Sequence, residues 1–289
     1  MLAQVYHPGS VAFRALRYSL SMVSPYWHTA VLQTVSFWST VVISPSSTFD
    51  SVECVLARLG GLPFGLLVKD HYFNEDYTFD MPTSVVVRLL RVLLPENARI
   101  TGLTITVRTE STLRLLMDFL ERHPFPRIET LTISVLNFAS SPMVVRPSSS
   151  VVPTTLKHLS LERIDCLSAL TEAFPVLESL RIADIPAHSW PATNAFLRFV
   201  SSCGMLRTLE MHCVGLKEEN SGVAVHDMFP RALSSLESLS LHFDHFVALG
   251  GTFALGNLFA RLELPSLVSI ELFFANTGSK LKPTCQAVA

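Results

Sequence analysis

One six-residue pattern limits what this chain can fold into more than any other feature: an aliphatic residue, two of any kind, an aliphatic, one of any kind, an aliphatic. It starts at Ile100, Ile128, Leu156, Leu177, Leu206, Leu236 and Leu267. The second column reads Leu103, Leu131, Leu159, Leu180, Leu209, Leu239 and Ile270. The third reads Ile105, Ile133, Leu161, Ile182, Met211, Leu241 and Leu272, so every position is Ile, Leu or Met. The starts lie 28, 28, 21, 29, 30 and 31 residues apart, a spacing at which one strand and one return segment make a turn of a solenoid. Side chains alternate along a strand, so the second and third aliphatics point into a core. The residues between and after them point to the opposite, concave face of a parallel sheet. The expected architecture is α/β: a right-handed solenoid, an open horseshoe with a small helical cap at its amino terminus.

Helical periodicity returns between the strands. Val86, Leu89, Leu90 and Leu93 follow Pro82 at i, i+3, i+4, i+7 and stop at Pro95. Leu113, Leu116, Met117 and Leu120 repeat the spacing before Pro124, and Phe196, Phe199, Val200 and Cys203 repeat it after Pro191. Pro95, Pro126, Pro153, Pro175, Pro230 and Pro265 each stand shortly before a strand pattern. Proline cannot continue a helix and biases its predecessor to extended geometry, which makes it the expected switch from helix to strand. Leu206 is entered instead through Cys203-Gly204. The Ser- and Pro-rich stretch 139–153 is expected to be a loop insertion. Over 44–82 the pattern is weak, with 62–68 reading as a degenerate strand of an earlier repeat and 70–80 as an acidic, aromatic loop.

Composition narrows the function classes. Charged residues make up 16% of the chain and hydrophobic ones 49%, against roughly 25% charged in an average soluble protein, so much surface must be hidden. The uncharged stretch 18–49 is interrupted by Pro25, His28, Gln33 and Pro45 and lacks the apolar continuity of a spanning helix. The first nine residues have no basic region followed by an apolar core, so no secretory signal is expected. Cys54, Cys166, Cys203, Cys213 and Cys285 are odd in number and scattered, which favours free thiols in the cytoplasm or nucleus. A net charge of −2 with no Lys/Arg block argues against a nucleic-acid partner. No Gly-x-Ser-x-Gly elbow exists, and Gly250-Gly251 lacks the rest of a phosphate loop. Cys203, His212 and Cys213 come nearest to a metal cluster but lack paired ligand spacing; Cys203 reads as core filler, and no metal or cofactor is expected. Glu162, Glu210 and Glu271, and His158, His212 and His242, read as solvated residues of the exposed face. A hydrolase or metal enzyme stays a remote alternative.

The segment 16–43, LRYSLSMVSPYWHTAVLQTVSFWSTVVI, carries Val23-Ser24, Trp27, Val31 and Trp38 followed by the strand-like Thr40-Val41-Val42-Ile43. It resembles the second half of an F-box as found in the fungal F-box/leucine-rich-repeat proteins. LKHLSLERID, FPVLESLRIADIP, LRTLEMHCV, LESLSLHFD and LPSLVSIEL are similar to that family's repeats, so the likeness covers nearly the whole chain. The resemblance implies an F-box-like segment over 1–43 and a leucine-rich-repeat solenoid over 44–289, with clear repeats from 100 to 275. It also implies a non-catalytic substrate-recognition subunit of a cullin-type ubiquitin ligase. In that role Val23, Trp27, Val31 and Trp38 dock on a Skp-type adaptor, or else simply cap the solenoid, and the repeats hold the protein to be ubiquitylated.

The chain departs from the family pattern in three places. The opening Leu-Pro and acidic residue do not stand in 1–5, so adaptor docking is expected to be weakened. The alternative is a free-standing repeat protein whose F-box has decayed. Pro25 interrupts a helix, which is expected to restart there with Ser24 as its cap. The ninth repeat position, often Asn or Cys, is Arg108, Leu136, Ile164, Ile185, Val214, Asp244 and Ala275, so no Asn ladder supports the loops. Partner binding is expected on the concave face of the later repeats, through Arg181, Glu210, His212, His242, Asp244, Glu271 and Phe273. Earlier strands offer only Gly102, Thr104, Thr106, Thr130, Thr132 and Ser134, whereas Arg and aromatic side chains are the usual anchors of protein interfaces.

Overall fold

The computed structural model describes residues 11–74, 77–136, 143–144, 154–165, 174–185, 193–212, 231–243 and 262–274. In chain order they form α1 (Val11–Val23), α2 (Pro25–Gln33), β1 (Thr40–Ile43), α3 (Phe49–Leu59), β2 (Phe64–Lys69), β3 (His71–Asn74) and β4 (Tyr77–Asp80). Next come α4 (Thr83–Val92), β5 (Ile100–Val107), α5 (Glu110–Arg122), β6 (Thr130–Val135), β7 (Met143–Val144), β8 (His158–Glu162), β9 (Ile164–Asp165) and β10 (Ser179–Ala183). Last are α6 (Thr193–Ser202), β11 (Thr208–His212), β12 (Arg231–Ala232), β13 (Ser238–Phe243), β14 (Leu262–Glu263) and β15 (Ser269–Phe274). Among the described residues, a parallel sheet of nine strands has the order β1-β2-β5-β6-β8-β10-β11-β13-β15. Each of the seven aliphatic patterns contributes one of those strands, and Leu159 and Leu180 are register partners. The chain divides into two compact units, Met1–Leu131 and Thr132–Ala289.

In the first unit β1, β2 and β5 pair in parallel. Their inward residues Val41, Ile43, Leu66, Val68, Leu103 and Ile105 are buried. Helix α4 buries Val86, Leu89 and Leu90, and α5 buries Leu113, Leu116, Met117 and Leu120. These are the faces that the helical spacing marks out. Ser24 caps α2, its hydroxyl accepting the Trp27 N–H, with Pro25 in the first turn. Two features depart from the expectations for 44–82. Helix α3 is present, opened by a reciprocal capping box between Thr48 and Ser51 and closed at Gly60 with φ +55°. The stretch expected to be an acidic loop contains the antiparallel hairpin β3–β4. That hairpin begins beside a buried carboxylate: Asp70 accepts the Arg108 backbone N–H at 3.0 and 3.2 Å and lies 3.0 Å from His71 Nδ1. Burying a charge is tolerable only with such partners.

In the second unit β8, β10, β11, β13 and β15 pair in parallel. The aliphatic columns of the repeats from Leu156 to Leu241 are buried, while Leu267, Ile270 and Leu272 are half-buried. A recurrent turn delivers the chain to each strand. The N–H of the first aliphatic bonds the carbonyl three residues earlier, from Leu177 to Phe174, Leu206 to Cys203, Leu236 to Leu233 and Leu267 to Leu264, and Ile128 to Phe125 does the same in the first unit. Pro126, Pro175 and Pro265 occupy the second position of this turn, where a fixed φ near −65° is required. The proline is therefore a turn former as well as a helix stop, which explains why Gly204 or Ser234 can replace it. Just beyond the turns, the carbonyls of Lys157, Glu178, Arg207 and Glu237 each accept two N–H groups from the following repeat, locking the register repeat by repeat.

The ninth repeat position is filled without Asn. Arg163 and Asp184, at equivalent points of consecutive repeats, adopt left-handed backbone with φ 59° and 53°, a conformation that costs roughly 1–2 kcal/mol in a non-glycine residue. Each turns the next residue, Ile164 or Ile185, into the core. Arg163 Nε also lies 3.3 Å from Asp184 Oδ2. Within 139–153, expected to be a loop, Met143–Val144 forms a short strand paired with β9. The rest of that stretch lies outside the described residues.

Candidate functional site

The outward positions of the second unit's sheet form two rows. Register places Ser160, Arg181, Glu210, Ser240 and Glu271 side by side in one, and His212, His242 and Phe273 in the other. Because Glu210 and His212 are two residues apart on β11, they share a face, and the rows touch there. Arg181 Nε lies 3.4 Å from Glu210 Oε1, and His212 Nε2 lies 2.6 Å from the same oxygen. The His212 and His242 rings stack with centroids 3.8 Å apart and planes 7° from parallel. His242 stacks on Phe273 at 4.2 Å and 17°. Ser240 Oγ lies 3.1 Å from His242 Nε2. Phe273 stays 42% exposed.

Glu210 feels opposing influences. Partial burial taken alone would raise its carboxyl, but the His212 hydrogen bond and the Arg181 and His212 charges outweigh it and hold the group below the usual carboxylate range. A carboxylate kept ionised between a guanidinium and an imidazole is a polar recognition element: it accepts hydrogen bonds, and the flanking stacked rings offer flat apolar area. Among the described residues, Glu210, His212 and His242 also bring one potential ligand atom each within 4.8 Å of the others.

Six of the seven residues expected to hold a partner stand on this face. Arg181, Glu210, His212, His242 and Phe273 form the connected cluster, Glu271 is the exposed register partner of Ser240, and Asp244 lies outside the described residues. The three glutamates do not converge: Glu162 accepts a hydrogen bond from Ser134, and Ser240 intervenes between Glu210 and Glu271. Ser134, expected on the open face, is buried. His158 is exposed in a different row, opposite Ser179. Sequence reasoning did not anticipate the buried Asp70–His71 pair, whose only signal was an Asp directly after an apolar strand.

The four amino-terminal residues separate into two pairs. Val31 and Trp38 are buried, with Trp38 Nε1 donating to the Val31 carbonyl at 3.0 Å and the Arg17 and Arg58 guanidinium groups 4.1 and 4.2 Å from its ring centroid. Val23 and Trp27 are exposed together with Tyr18, Met22 and Tyr26, which makes a run of large apolar side chains facing solvent on α1 and α2.

Cys203 does not reach His212's cluster as a ligand: it is buried at the end of α6, where its thiol donates to the Phe199 carbonyl. Cys213 lies outside the described residues. Burial pushes the Cys203 thiol up, only partly offset by hydrogen bonds with the Phe174 backbone and Ser202. Cys54 is exposed on α3. Iodoacetamide at mildly alkaline pH is expected to label Cys54 in the native chain and Cys203 only after urea is added, because thiolate character and access govern the rate. Peptide mapping by mass spectrometry checks this, and rapid native labelling of Cys203 would contradict its burial.

Among the described residues no helix is long and apolar enough to cross a membrane. No protein-family model and no curated protein matches the chain.

Proposed function

We propose that this protein is a leucine-rich-repeat scaffold that holds a partner protein on the outward sheet face of its second unit. In this reading the solenoid is right-handed and open, the face is concave, and the protein works in the cytoplasm or nucleus. The observation that carries the reading is the connected cluster Arg181–Glu210–His212–His242–Phe273. It joins an Arg, a carboxylate and a stacked aromatic surface on a rigid sheet, the composition of an interface centre. The amino-terminal segment is an F-box-derived module that links the partner to a cullin-type ubiquitin ligase through a Skp-type adaptor, and the exposed Tyr18, Met22, Val23, Tyr26 and Trp27 support that docking role. No covalent step is asked of this chain. Holding a substrate beside a separate ligase raises its effective concentration, and proximity is the mechanism.

The test is a paired substitution. Arg181→Ala with Phe273→Ala is compared with Thr104→Ala and Thr132→Ala, and the proteins captured by the tagged full chain are quantified. Loss of two interface anchors, each contributing about 2 kcal/mol or more, should remove partner capture in the first variant and leave it intact in the second. Equal loss in both, or no loss in either, would exclude this surface. A second reading, a free-standing repeat protein with a decayed F-box, is favoured by the burial of Val31 and Trp38, two of the four residues expected to dock on the adaptor. Partner capture without measurable binding to a purified Skp-type adaptor would decide for it.

A further inference from the structure

We propose that Glu210, His212 and His242 form a binding site for a divalent transition-metal ion of the zinc class. The sheet itself builds the site. His212 and His242 are register partners on adjacent strands, and Glu210 and Ser240 are register partners two residues earlier. His212 Nε2 points to Glu210, 2.6 Å away, and His242 Nε2 points to Ser240, 3.1 Å away. Both ring nitrogens are therefore directed the same way along their strands, side by side, with the Glu210 carboxylate at the mouth of the pair. One ligand atom from each residue lies within 4.8 Å of the others. A tetrahedral ion with bonds of about 2.0–2.2 Å needs its donors roughly 3.3–3.6 Å apart. Glu210 and His212 must move apart by about 1 Å, and the stacked rings must splay, to reach that spacing. All three side chains are half-buried rather than locked in the core, so torsional adjustment supplies the movement.

The donor set chooses the metal. Two imidazoles and one carboxylate suit zinc, nickel or copper, whereas calcium and magnesium prefer oxygen ligands alone. Three protein ligands leave a fourth position that water or a side chain of a bound protein can fill. Arg181 opposes the ion, because its guanidinium shares the Glu210 carboxylate; the site is a balance between a resident arginine and an incoming cation. The proposal is independent of the ubiquitin-ligase reading, since it needs neither adaptor nor partner.

Its test uses the purified full chain after chelator treatment. Calorimetric titration with Zn²⁺ should show one saturable ion per chain. His212→Gln and His242→Gln should each weaken binding by about tenfold or more, at least the loss that a supporting residue gives, and Arg181→Ala should tighten it. Co²⁺ should give the absorption bands of a tetrahedral nitrogen and oxygen site, displaced by Zn²⁺, with no thiolate charge-transfer band. If a histidine substitution impairs folding, the half-buried Glu210 and Arg181 carry the assignment: Glu210→Gln should weaken Co²⁺ and Zn²⁺ binding while Arg181→Ala tightens it. Absence of saturable binding, a thiolate band, or full affinity in folded His212→Gln and His242→Gln chains would overturn the proposal.

Discussion

Replacing Leu180 by Asp is expected to unfold the second unit. Leu180 is completely buried and lies in register between Leu159 and Leu209, both buried. Removing the side chain forfeits about 2–5 kcal/mol of burial and packing. The new carboxylate would lie between the buried aliphatic side chains of Leu159 and Leu209, and leaving a charge unpaired in such a place adds several kcal/mol. Since a domain's whole stability is of order 5–15 kcal/mol, the sum is enough to abolish the fold of this unit at ordinary temperature. Leu180→Met, close in volume, should cost less than about 1.5 kcal/mol. Thermal unfolding followed by circular dichroism checks both, and urea-free labelling of Cys203 gives a local readout in the same unit. An unchanged midpoint and a protected Cys203 in the Asp variant would mean that Leu180 does not pack as described.

The core was readable because its signal is redundant: an aliphatic at three fixed offsets, seven times over, admits one periodic arrangement. The helices α4, α5 and α6 were readable for the same reason. Helix α3 escaped although Val52, Val55, Leu56 and Leu59 carry the i, i+3, i+4, i+7 spacing. Its cap pairs Thr48 with Ser51 rather than with the Glu or Gln of the usual box, and it stands outside the strand repeat. The hairpin β3–β4 escaped because the contacts that flank it are long-range: Arg108, at the end of β5, meets Asp70 through its backbone N–H and Asp80 through its side chain.

The candidate face shows the same division. His212, His242 and Phe273 each follow the third aliphatic of their repeat, so a common row was legible from offsets alone. Their stacking was not, because it depends on the strands lying in register. That register is set by backbone hydrogen bonds such as those of Arg207 to Glu178 and Glu237 to Arg207, which side-chain identities do not announce. Repeat lengths of 21 to 31 residues hide it further, since the variation falls in the return segments and leaves the strands aligned. The ninth position carries no Asn, as read from the sequence, but what stands in its place was not legible: at two repeats left-handed backbone at Arg163 and Asp184 turns Ile164 and Ile185 inward.

The two amino-terminal tryptophans should behave in opposite ways. Trp38 is 6% exposed, bonds the Val31 carbonyl, and carries the Arg17 and Arg58 guanidinium groups on its ring. Trp38→Ala therefore removes a large buried ring, a hydrogen bond and two cation–π contacts, with an expected loss of about 3–5 kcal/mol and release of α1, whose Arg17 is held at the ring and at the Phe37 carbonyl. Trp27 is 43% exposed and meets Tyr26 edge-on with centroids 6.2 Å apart. Trp27→Ala should change stability by no more than about 0.5 kcal/mol, as exposed substitutions usually do. Under the docking reading it should nevertheless weaken binding to a Skp-type adaptor, measured by calorimetry on a chain whose melting curve is unaltered. If Trp27→Ala leaves adaptor binding untouched, the exposed cluster is not a docking surface and the segment serves only as a cap. If Trp38→Ala leaves the melting curve untouched, the ring does not anchor α1, and the cap must be held by other contacts.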